Sequence, residues 1–215
     1  MPTYKTITLY QYDELPSDSA KEKARNWYRE GGLDYEWYDY LFEEFTEDMS
    51  KEGIDILTHK QTVTLAYASG APSKTFEKHN IYFSGFSSQG DGASFEANVN
   101  VANWIKAHKL ANKYRKLYNL CRQEGYRIAI RKSSNNYSHH MTMMVDSDAS
   151  DYPYPDDAQD QWGEVVKAVL EDCRNHAKTL YRQLEEEYYY LNSNESVADT
   201  IRINEYTFTE DGNRE

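Results

Sequence analysis

The sequence predicts an α+β protein: an antiparallel sheet built from hairpins, amphipathic helices on one face of it, and one long C-terminal helix. Three observations lead there. Apolar residues recur at helical spacing over 18–29, 36–51, 103–123 and 159–191. Between the second and third of these runs the period falls to two, in short segments broken by glycine and polar turns. The segments do not alternate as strand–helix–strand units, which argues against a parallel sheet. The chain of 215 residues suits a single α+β domain over 1–215, large enough to bury roughly 70% of its unfolded surface.

Each element has a local reason. "YKTITLYQY" (3–11) alternates and is rich in Thr and Tyr, as a strand requires. Ser17 caps a helix over 18–29, and Gly31 and Gly32 stop it. The run 36–51 sets Tyr38, Leu41, Phe42, Phe45 and Met49 on one helical face, with Gly53 as terminator. "IDILTH" and "TVTLAYA" read as short strands and "SGAPSK" (69–74) as a loop. Residues 80–86 and 93–101 read as two arms around a second loop, with Ala97, Val99 and Val101 facing one way. A helix over 103–123 buries Ala107, Leu110, Ala111, Tyr114, Leu117, Tyr118 and Cys121, and Gly125 ends it. "YRIAIRK" and "YSHHMTMMV" form a hairpin around "SSNN", and 146–158 is an acidic linker interrupted by proline. The 159–191 helix keeps an apolar face over its whole length, on the order of 45–50 Å. That exceeds the width of a small sheet, so its far end is a candidate homodimer contact. "SNESVADTIRIN" reads as a short helix capped at Ser193 or Asn194, and 205–215 as a last strand or a flexible tail.

Charge narrows the function classes. The net charge is −12, which argues against a surface that binds nucleic acid throughout. The segment 106–132 nevertheless holds nine bases against one acid, +8, leaving −20 for the rest. That segment is a candidate anion, nucleotide or RNA site, or an internal counterweight to the acidic run 30–55 with its ten acids. Within that run Trp37, Tyr40, Glu43, Glu44 and Glu47 form a candidate partner face, since acid rows with aromatic neighbours can dock on a basic groove. Cys121 and Cys173 fall on apolar stripes and read as buried thiols, with neither a disulfide framework nor zinc spacing. The N-terminus has no signal-peptide pattern and no apolar run approaches 18 residues, so a soluble cytoplasmic protein without membrane contact is expected.

The candidate chemistry is incomplete. In "SGFSSQGDGAS" the groups of Ser84, Phe86, Ser87, Ser88, Gln89, Asp91 and Ser94 suit a recognition loop first, a plain turn second and a reactive site third. It is no phosphate loop, since it lacks the Gly-Lys-Ser/Thr ending and leads into a strand. His139 and His140, on a strand, would point to opposite faces. His140-Met-Thr142 matches one half of the His-x-Thr pattern of two-histidine phosphodiesterases, without a second copy. With Arg127 and Arg131 these residues make a possible anion or nucleotide site. Residues 146–157 resemble a calcium loop in their acids, but Asp151 stands where the glycine belongs. No metal, cofactor or catalytic set is expected, which favours a binding protein over an enzyme.

"DELPSDSAKEKARNWYRE", "IYFSGFSSQGDGASFEA" and "ESVADTIRINEYTFTEDGNR" resemble a group of small uncharacterised proteins of tailed bacteriophages and prophages, often labelled "antitoxin of toxin–antitoxin system". The resemblance covers nearly the whole chain, and SGF-S-QGDGASFE is its most specific part. Ser87 departs from the pattern, where a large aromatic residue is expected. The label implies a phage protein that neutralises a toxin or antiviral defence factor of the host by direct contact in the bacterial cytoplasm. It carries over no active site.

Overall fold

The computed structural model describes residues 7–34, 36–64, 73–133, 137–151 and 158–214. In chain order these form β1 (Tyr10–Gln11), a 3-10 turn (Tyr12–Glu14), α1 (Asp18–Glu30), α2 (Asp39–Lys51), β2 (Ile54–Ile56), β3 (Thr58–Thr64), β4 (Ser73–His79), β5 (Ile81–Phe83), β6 (Ala93–Phe95) and β7 (Ala97–Asn100). There follow α3 (Val101–Ala107), α4 (Arg115–Glu124), β8 (Arg127–Lys132), a second 3-10 turn (His140–Thr142), β9 (Met143–Asp146), α5 (Gln159–Leu191), α6 (Asn194–Ile203) and β10 (Thr207–Phe208). Every strand pairing is antiparallel. The class is α+β with a long C-terminal helix, as the periodicity predicts.

The chain divides into two compact units, 39–183 and the two ends 1–38 with 184–215. The larger holds a four-stranded sheet in the order β2-β7-β8-β9 and two separate hairpins, β3-β4 and β5-β6. β7 alternates as its sequence requires: Ala97 and Val99 are buried, Asn98 and Asn100 half-buried. β8 is buried at three consecutive residues, Ile128, Ala129 and Ile130. The Ser150 hydroxyl accepts a hydrogen bond from the Ala129 amide. α2 presses Leu41, Phe45 and Met49 inward, with the Phe45 ring edge-on to Phe95 at 5.3 Å. Along α5, Trp162, Val165, Val169, Cys173, Ala177 and Leu180 form a continuous buried stripe at helical spacing. Burying each valine or leucine of this stripe contributes about 1.5–3 kcal/mol.

The smaller unit is stitched from both ends of the chain. β1 pairs with β10, Tyr10 opposite Phe208. Tyr12, Leu15, Ala24, Val197, Ile201 and Phe208 form its core, and Trp27 packs against it. The Trp27 ring meets Tyr206 and Phe208 edge-on. Arg202 donates to both oxygens of the Asp13 carboxylate, at 2.9–3.1 Å, a bidentate geometry.

Several segments differ from expectation. Of the strand expected over 3–11, residues 1–6 lie outside the described ones, and within 7–11 only Tyr10–Gln11 pairs. Leu57 divides "IDILTH" between β2 and β3: its amide donates to the Glu96 carbonyl and its carbonyl accepts from Asn80. The arm 93–101 is likewise two strands with different partners, split at Glu96, whose amide donates to the Asn80 carbonyl. Val101 opens α3 rather than closing a strand. The helix expected over 103–123 starts earlier and is broken. Asn100 caps α3 by accepting from the Asn103 amide, and Lys109 turns the chain at φ 59. The Leu110 amide then closes on the Ile105 carbonyl, a Schellman-type stop made without glycine. Ala107 is exposed as a result, while Trp104 and Ile105 are buried. β4 stands where 69–74 reads as a loop; Ser73 and Lys74 are already paired, and 69–72 lie outside the described residues, as do 65–68, 134–136 and 152–157. Of the two alternatives for the C-terminal segment, the strand is formed.

Candidate functional site

The loop at 84–94 is held by its own polar groups. The Asp91 carboxylate accepts from the Ser87 and Ser88 amides at 2.9 and 2.6 Å, and these bonds hold its pKa below the usual carboxylate range. The Ser84 hydroxyl accepts from the Gly92 amide at 3.1 Å. Phe86 stacks on Phe83 at 5.9 Å and leans on Tyr181 at 5.5 Å, and the Tyr181 hydroxyl donates to the Gly85 carbonyl. Ser94 is fully buried. Gly85 and the tip residues Ser87, Ser88, Gln89 and Gly90 are exposed.

His139 and His140 sit on a 3-10 turn rather than a strand, so their rings do not diverge; the centroids are 3.9 Å apart. The turn is fixed by the Met141 amide, which donates to His139 Nδ1, and by the Thr142 hydroxyl, which donates to the His139 carbonyl. Burial, then the charges of His139, Lys178 and Arg174, push the His140 pKa down to about 4. The loop does reach this turn: a side chain at Gly92 would stand 2.6 Å from the His139 ring. The arginines do not join it in the expected way. Arg131 donates to the Ala97 and Ile130 carbonyls and to Asn98 Oδ1. Arg127 lies at the other end of β8, opposite Asn100.

The acidic candidates fall on both sides of the unit boundary. Trp37 belongs to the smaller unit, where its ring meets Tyr188 at 6.0 Å. Tyr40, Glu43, Glu44 and Glu47 are exposed along α2 in the larger one. The three glutamates make no hydrogen bond or ion pair among the described residues.

A fourth constellation has no counterpart in the sequence reading. Glu52 follows the end of α2, His108 caps the C-terminus of α3, and Asp172 and His176 stand one turn apart on α5. His108 Nε2 lies 3.7 Å from Glu52 Oε2 and 3.3 Å from Asp172 Oδ2. His176 Nε2 lies 3.2 and 3.6 Å from the same two oxygens. Gly53 sets Glu52 in place: at φ +81 it packs so closely on α3 that a Cβ would stand 2.6 Å from that of Asn103. Trp104 braces the other side, its indole N–H donating to Asp172 at 2.9 Å and its carbonyl engaging His108 Nδ1 at 3.0 Å. The hydrogen bond to Asp172 raises the His176 pKa against the effect of burial, and the charge of Glu52 adds to it. Burial works to raise Asp172, but the hydrogen bonds from His176 and Trp104 outweigh it and hold the carboxyl low. All four side chains are about a quarter to a third exposed. The one trace of this site in the sequence is the Asp-x-x-x-His spacing of 172 and 176, which puts both on one helical face.

A family model matches residues 37–194. The chain belongs to the family described as "Domain of unknown function (DUF8835)". The DUF8835 match contains the whole larger unit, and with it the loop, the histidine turn, the acidic face of α2 and the Glu52 cluster. Most of the smaller unit lies outside it. No curated protein and no solved structure matches the chain. Among the described residues no helix is long and apolar enough to cross a membrane.

Proposed function

We propose that this chain is a binding protein that neutralises a bacterial toxin or antiviral defence factor in the host cytoplasm, docking a basic surface of that partner on the solvent face of α2. The observation that carries this reading is the row Glu43, Glu44, Glu47 beside exposed Tyr40, three carboxylates that make no ion pair among the described residues, the nearby Lys51 being paired with Asp48. Glu43 and Glu47 repel one another at i,i+4, and a partner's lysines or arginines would relieve that. The opposite face of α2 is anchored by Leu41, Phe45 and Met49, so the row is offered on a rigid element. The resemblance to phage proteins labelled as antitoxins supports the class of partner.

The test is a tagged pull-down from bacterial lysate, with and without nuclease, repeated with Glu43→Lys, Glu44→Lys and Glu47→Lys combined. The expected result is a stoichiometric host protein that survives nuclease, binds more weakly as salt rises, and is lost from the triple variant with no change in thermal unfolding. Unchanged capture by the triple variant removes α2 as the interface.

A second reading, a site for a nucleotide or nucleic-acid phosphate, is favoured by the approach of the loop to His139, with Lys178 and Arg174 close to His140. It ranks second because Arg131 is engaged with backbone and Asn98, and Arg127 is about 16 Å away along β8 from the Lys132 end nearest the histidines. Nucleotide or RNA co-purifying in place of a protein would promote it.

A further inference from the structure

We propose that Glu52, His108, Asp172 and His176 hold a divalent transition-metal cation. His108 is held in one tautomer. Its Nδ1 faces the Trp104 carbonyl at 3.0 Å, and a carbonyl can only accept, so Nδ1 carries the proton. That leaves the Nε2 lone pair aimed at two carboxylate oxygens, 3.3 and 3.7 Å away. A lone pair against two anions is repulsive unless a cation lies between them. A second proton on His108 would supply one, but charge-assisted N–H···O bonds close to about 2.7–2.9 Å, and neither of the His108 separations, 3.3 and 3.7 Å, does.

The separations fit a shared ion instead. Four N···O distances of 3.2, 3.3, 3.6 and 3.7 Å lie near the roughly 3.4 Å that separates neighbouring ligands on an ion with bonds of about 2.1 Å. The ligand atoms of Glu52, His108 and Asp172 all lie within 4.8 Å of one another, and His176 faces both of the same oxygens. Two carboxylates balance the charge of a divalent ion. Two imidazoles select zinc and its first-row neighbours over calcium and magnesium, which take oxygen ligands. The braces have the form of an outer shell: the Trp104 carbonyl sets the ring of His108, and its indole N–H holds the carboxylate of Asp172. Such an ion would join the end of α2, the end of α3 and the middle of α5, three segments widely separated in the chain.

The test uses the full chain, stripped with a chelator and titrated with zinc chloride by calorimetry, with bound metal measured after dialysis. The expected result is one equivalent of zinc and a higher thermal midpoint. Glu52→Gln and His176→Gln, which keep length and hydrogen-bonding capacity, should each weaken binding at least tenfold without moving the metal-free midpoint. Cobalt(II) in place of zinc should show the visible absorption of a tetrahedral site in the parent chain and lose it in His176→Gln. Less than half an equivalent of zinc, or full-strength binding by both variants, overturns the proposal.

Discussion

In the loop at 84–94 the carboxylate and one hydroxyl are taken up by the loop's own backbone. Asp91 is taken by two amides and Ser84 by a third. In the cluster around Glu52, two imidazole nitrogens converge on the same two carboxylate oxygens, at 3.2–3.7 Å. The loop draws the eye in the sequence because its residues are consecutive, yet a run of consecutive polar residues can satisfy itself locally, as Asx turns do. The cluster draws none because its members lie up to 124 positions apart, and only the fold makes them neighbours. Residues brought together over such distances, and left facing one another with a quarter to a third of each side chain exposed, are the better candidates for binding something the chain does not contain.

Three changes test that contrast, in falling order of effect. Gly53→Ala should cost about 3 kcal/mol, since it forces a side chain into the left-handed region and against Asn103. It should also displace Glu52 and abolish zinc binding. Chemical denaturation together with calorimetry measures both, and a variant of parental stability with intact zinc affinity would mean that Gly53 does not position the cluster. The histidine turn gives a smaller effect, visible in pH dependence. A folded pKa near 4 for His140 means that the unfolded chain takes up that proton first. His140 should therefore lower stability as pH falls from about 6.5 towards 4, with no further loss below that. An imidazole NMR titration with its midpoint at the ordinary value would break the argument, and His140→Gln should flatten that part of the profile. The smallest effect belongs to Asp91→Ala. Amide exchange at Ser87 and Ser88 should quicken while global unfolding stays put, and acid should do the same to the parent chain as that depressed carboxyl takes up its proton. Loss of global stability would show the loop to be part of the core.

Helix ends marked by a capping residue were legible: Ser17 and Ser193 both accept from the amide three residues on, and Gly125 closes α4 in the left-handed region. The break between α3 and α4 was not, because Lys109 adopts a positive φ that sequence rules reserve for glycine or asparagine. β4 escaped notice for a different reason. It is exposed along most of its length, so it carries no apolar alternation to read. Of the cluster, only Asp172 and His176 left a trace, their shared helical face. Glu52 looked like one more acid of the 30–55 run, and His108 sat inside a helix that does not exist as one piece.

The smaller unit also has a history in time. Tyr10 pairs with Phe208, so at about 5–20 residues per second a ribosome would need roughly 10–40 s between making the first strand and making its partner. During that interval Tyr12, Leu15 and Trp27 have neither α6 nor Phe208 to cover them, whereas the larger unit, 39–183, is made in full before α6 begins. In the cell this chain would finish its middle before its beginning, and a nascent chain stalled short of Phe208 would hold its opening apolar residues out to whatever chaperone or protease is nearby.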